Sequence, residues 1–176
     1  MIANSVNLLE LITTMRRFFS IAALTVGALA FGGNAALADT VPLGGSVNSI
    51  SAVTSTPTAA AGSLTLYGEG VAQNDVVVQV ADMALTTNNT AGVTLQASGD
   101  SGLTNGTSTL PYNVKIVADS AAAPGAVDFS SNTDSVAVSD FSGGAAARDL
   151  YIEYDAPSLL DPGNYSATIT ISVTDI

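Results

Sequence analysis

The chain has 176 residues, a formal net charge of −11, and no His, Cys or Trp. Without His or Cys there is no Ser-His-Asp hydrolase, no Cys-His protease and no His-ligated zinc, and no other catalytic motif stands in their place. The acidic balance argues against nucleic acid and anionic membranes, which are bound through basic patches.

In chain order, the first feature is an export signal. Met15-Arg16-Arg17 is a short basic start, and residues 18–31 (FFSIAALTVGALAF) form an apolar run. Gly32-Gly33-Asn34 breaks the run, and Ala36 and Ala38 are the small residues a signal peptidase accepts, with cleavage before Asp39. The run is shorter than the roughly 20 residues that cross a bilayer, so the mature chain is expected to have no membrane span and to be secreted. Residues 1–14 fit no part of such a signal and read as a start-site extension, with Met15 the initiator. The mature chain is therefore expected to begin at residue 39, which leaves one domain's worth of chain. Lys115 and Arg148 are then the only basic residues, and the acids are scattered singly, as on a solvated surface.

Residues 40–54 (TVPLGGSVNSISAVT) are mildly apolar through Val41, Leu43, Val47, Ile50 and Val53, with a Gly44-Gly45 break. Residues 55–62 (STPTAAAG) read as a linker. Strand patterns then recur. Residues 63–67 alternate, 75–81 are a β-branched run, and 92–97 alternate into the turn cluster 98–102. Asn105-Gly106 marks a tight turn. Leu110, Tyr112, Val114 and Ile116 share one face, with Pro111 allowed near a strand start or on an edge. Residues 119–147 are least regular, with short strands expected at 126–129 and 135–138. Leu150, Ile152 and Tyr154 share a face of the next strand. After Asp161-Pro162-Gly163, Tyr165, Ala167, Ile169, Ile171 and Val173 alternate with Ser and Thr. Seven or eight short strands, Gly/Pro/Asn turns and no amphipathic helix predict an all-β, antiparallel Ig-like sandwich over 63–176.

Two segments carry a resemblance. Residues 102–114 (GLTNGTSTLPYNV) lead a small polar turn into a hydrophobic-Pro-Tyr strand, and residues 162–173 (PGNYSATITISV) form a Gly-x-Tyr-x-x-Thr-Ile-Thr-Ile strand. Together they resemble bacterial pilin and fimbrial subunits of the archaic chaperone–usher and spore-coat-U-like group. The resemblance implies an incomplete Ig-like sandwich completed by the N-terminal strand of the next subunit, so that copies join head to tail into a filament. It also implies a periplasmic chaperone and an outer-membrane assembly factor as partners, and export through the inner membrane to the cell surface. The donor strand would be Val41, Leu43, Val47, Ile50 and Val53, within a donor-and-linker region 39–62. The chain departs from many such subunits in lacking a Cys pair and in the Gly44-Gly45 interruption. Two readings stay open: the N-terminal strand is donated, or it folds back and completes its own sandwich. The second gives a monomeric surface adhesin that binds carbohydrate or protein through its loops.

Other candidates are weaker. Asp149 and Glu153 share a strand face near Asp155, and with cross-strand acids would approach a Ca²⁺ site, but no dense Asp loop is present and a solvated face is the plainer reading. Tyr112, Tyr154 and Tyr165 lie among apolar neighbours and read as core rather than as a sugar platform. No catalytic, cofactor or metal residue is assigned.

Overall fold

Strict period-2 stretches dictate the framework. In a computed structural model, which describes residues 42–66 and 70–176, they become nine strands. The chain divides into two units, Met1–Gly44 and Gly45–Ile176, and the nine strands of the described residues lie in the second. The residues read as a signal cleavage site, Ala36, Ala38 and Asp39, and the donor candidate Val41 lie outside the described residues.

Sheet A has the order β1 (Ser51–Pro57), β2 (Gln73–Thr87), β8 (Ala145–Ala156), β6 (Asn113–Ala118), and sheet B the order β7 (Thr133–Val138), β3 (Val93–Gly99), β9 (Ile169–Asp175). All pairings are antiparallel. A short hairpin, β4 (Leu103–Thr104) with β5 (Thr109–Leu110), stands at one end. Its turn follows from Asn105-Gly106: the Asn105 carboxamide accepts the N–H groups of Thr107 and Ser108, and Gly106 takes φ +90°. The all-β antiparallel sandwich expected from the sequence is thus the fold, with nine strands rather than seven or eight.

The core lies between the sheets. Leu95, Ala97 and Val93 from β3 meet Met83 and Leu85 from β2, Val114 and Ile116 from β6, and Leu150, Ile152 and Tyr154 from β8. Each set is one face of its strand, because side chains alternate across the pleat. Val80 and Ala81 break the alternation, being consecutive and both buried; the register shift between Gln79 and Ala81 reconciles them. Tyr112 and Tyr154 are core residues as predicted, and their hydroxyls reach the carbonyls of Thr168 and Thr65. Tyr165 is half-buried against the core.

Three local readings need correction. Residues 55–62 are not a linker: Ser55–Pro57 end β1, and Ala59–Gly62 form a 3-10 turn. Thr- and Ser-rich sequence serves an edge strand, and Pro57 is tolerated at its end, where a missing N–H breaks no inner ladder. Residues 63–66 alternate but join no sheet. Ala126–Asp128, expected as strand, is a 3-10 turn capped by the Asp128 carboxylate on the Gly125 N–H.

Candidate assembly surface

Three of the five donor-strand candidates are exposed. Leu43 is 93% exposed, Val47 87% and Ile50 63%, and residues 42–50 carry no regular structure. Val53 does the opposite. It sits in β1 opposite Leu85 and packs against the core. The segment read as one strand is therefore split: its end lies in sheet A of its own chain, and residues 42–50 join no sheet.

The split point is built by Asn88, at the end of β2. The Asn88 N–H donates to the Ile50 carbonyl, continuing the β1–β2 ladder by one rung. The chain then turns towards β3, so further backbone partners are lost. The Asn88 carboxamide replaces them: its Oδ1 accepts the Ile50 N–H at 2.8 Å, and its Nδ2 donates to the Asn48 carbonyl at 2.8 Å. One side chain thus stands in for two backbone groups. Ser49 and Ser51 hydroxyls donate to the Asp175 carboxylate at the end of β9 and hold it below the usual carboxylate range. Asn88→Ala is expected to raise amide exchange at Ile50 by about tenfold, the loss of roughly one net hydrogen bond, while exchange in β3 stays unchanged. Exchange followed by mass spectrometry checks this.

From that clasp β1 and β9 run side by side as the facing free edges of the two sheets, in opposite directions. Away from the clasp they part around a groove of about 240 Å³, flanked by Ser55 and Pro57 on one side and Ile169 and Ile171 on the other, and floored by Ala81 and Ile152. No charged residue lines it. The opposite side of the sandwich is closed differently: Ser131 and Asp134 accept the N–H groups of Val114 and Ile116 on the edge of β6.

The pairing of β9 fixes which of its backbone groups are free. The Asp100 N–H donates to the Thr168 carbonyl, and the Ile176 N–H to the Gly92 carbonyl. In an antiparallel ladder the bonded residues recur every second position, so the even-numbered residues of β9 face β3. Ile169, Ile171 and Val173 therefore aim their N–H and C=O groups at the free edge. Edge strands are commonly guarded by charge or Pro; β9 has neither before Asp175.

No protein-family model matches the chain, and no curated protein matches it.

The acidic residues group differently from the sequence expectation. Asp75, Glu153 and Asp155 bring carboxylate oxygens within 4.8 Å of one another; Asp149 is not among them. A bulge in β2 delivers Asp75, at φ +61°, and its N–H donates to Asp155 at 2.9 Å. Glu153 accepts from Asn113. Three carboxylates, two of them already hydrogen-bonded, fall short of the roughly six to eight oxygens Ca²⁺ takes.

Asp149 is buried in the middle of sheet A, accepts the Ser120 N–H, and pairs across strands with Asp82. Burial pushes its carboxyl above the usual range, opposed by the Ser120 bond and reinforced by Asp119 and Asp82. A carboxyl raised on folding favours the folded state at low pH, and loses that contribution as pH rises through its folded value. Asp149→Asn keeps an acceptor for Ser120. It is expected to raise the melting temperature by a few degrees at neutral pH, with the gain vanishing below about pH 4, where the carboxyl is protonated in both states. The opposite case is Asp140, lowered by its hydrogen bond to Arg148.

Among the described residues no helix is long and apolar enough to cross a membrane.

Proposed function

We propose that the protein is a secreted structural subunit of a pilus-like or extracellular matrix filament, and that it acts by assembly rather than by catalysis. Copies join when the N-terminal segment of one inserts into its neighbour. On this reading it leaves the cell through the inner membrane, assisted by a periplasmic chaperone and an outer-membrane assembly factor.

One observation carries the proposal. Residues 42–50 contain no charge in a chain of net charge −11, and this stretch presents exposed Leu43 and Val47, while the groove between β1 and β9 is also uncharged. Acidic copies repel one another, so contact between them is least costly where both surfaces are neutral. The pattern is also directional. The segment and the groove are different surfaces, and a contact between unlike surfaces repeats into a chain instead of closing a dimer.

The test is polymerisation. Purified protein beginning at Asp39 is expected to form species that run above the monomer on an unheated denaturing gel and collapse on boiling. Loss of residues 42–47 should abolish them.

A further inference from the structure

The mouth of the groove is partly filled by a piece of the chain that belongs to neither sheet. Ser63-Leu64-Thr65-Leu66 alternates exposed and half-buried side chains as a strand does, and Leu64 and Leu66 pack against the core. Leu64 lines the groove with Ile169 and Ile171, and also the two adjoining hollows that continue it to Tyr165. Yet the segment makes almost no ladder. Ser63 bonds back to Ala60 within the 3-10 turn. Among the described residues, the backbone of 64–66 has one partner, the Tyr154 hydroxyl on the Thr65 carbonyl at 3.0 Å. The segment supplies apolar cover but leaves the free groups of Ile169, Ile171 and Val173 without main-chain partners.

We infer that residues 63–66 are a removable plug, and that residues 42–47 of a second copy, which precede the Asn88 clasp, displace it by adding as a strand to the free edge of β9. This rests on the filament reading above. An incoming strand would supply both what the plug gives and what it lacks: apolar side chains for the groove and N–H and C=O groups for the edge. Edge β1 is the poorer template, since it ends at Pro57, which has no N–H to donate. The occupant is chosen by charge and by exposure. Residues 42–50 are uncharged, and Leu43 and Val47, four apart with Gly45 between them, fall on one face of an extended strand.

The experiment is hydrogen exchange on the whole protein with and without a synthetic peptide of residues 40–50. The expected result is slower exchange at 169–173 together with faster exchange at 63–66. A peptide carrying Asp in place of Leu43 and Val47 should do neither. Leu66→Ser, which loosens the plug while leaving Leu64 in place, should bind the wild-type peptide about tenfold more tightly. Binding that protects β9 and leaves 63–66 unchanged would overturn the plug, as would absence of binding. The filament reading fails separately: if the peptide displaces the plug but the protein never forms boil-sensitive polymers, the plug stands and the filament does not.

Discussion

Replacing Gly92 with alanine is expected to leave the chain unfolded. Gly92 turns β2 into β3 at φ +95°, a region costly for residues with a Cβ. A Cβ there would stand 2.2 Å from the Val138 carbonyl oxygen and 3.0 Å from the Ser139 Cα. Both are backbone atoms at the end of β7, where Val138 pairs with Val93, and both Val residues are buried. Nothing in the clash is a flexible side-chain end, so relief requires opening the β3–β7 ladder at the sandwich core. The Gly92 carbonyl also accepts the Ile176 N–H, so the same shift would disturb β9. Backbone strain of about 1–2 kcal/mol and a displaced core of several more approach the roughly 5–15 kcal/mol that holds a whole domain. Gly106 provides the control. It also has positive φ, +90°, but a Cβ there meets nothing within 4 Å. Gly106→Asn should therefore fold, and melt within a few degrees of the parent. Circular dichroism and thermal melting of both variants decide the matter.

The second large effect concerns assembly and leaves the fold alone. Leu43→Asp with Val47→Asp should abolish polymer without changing the melting temperature. Both side chains are almost fully exposed, so neither contributes to the folded monomer. In the proposed filament they would enter an uncharged groove, where an unpaired carboxylate costs several kcal/mol. Val127→Asp tests specificity: Val127 is 95% exposed but lies in the 3-10 turn Ala126–Asp128, outside the groove, and its replacement should leave polymerisation intact.

Strands buried on one face were legible in the sequence. Period alone places Leu110, Tyr112, Val114 and Ile116 on a shared face, and all four are buried. The same holds for Leu150, Ile152 and Tyr154. Ile169, Ile171 and Val173 also share their expected face, half-buried at the sheet edge. What escaped was decided by tertiary pairing. Residues 63–66 carry the alternation of a strand but pair with no sheet edge. Ser51–Pro57 reads like a spacer and is a strand because β2 offers it an edge. The role of Asn88 depends on a turn that removes backbone partners over a span the sequence does not reveal. Asp75 joins Glu153 and Asp155 through a bulge, which shifts faces in a way that strict alternation cannot anticipate. Within the N-terminal segment, period alone does not separate Leu43, Val47 and Ile50, which are exposed, from Val53, which is partly buried against the core.

The most direct test of the account is an unheated denaturing gel with negative-stain imaging, run on purified protein beginning at Asp39 and on its Leu43→Asp, Val47→Asp variant. The account predicts a ladder that collapses on boiling and thin fibres on the grid for the parent, and a folded monomer for the variant. A single monomer band and a bare grid from a folded parent, or a ladder that survives in the variant, would contradict it.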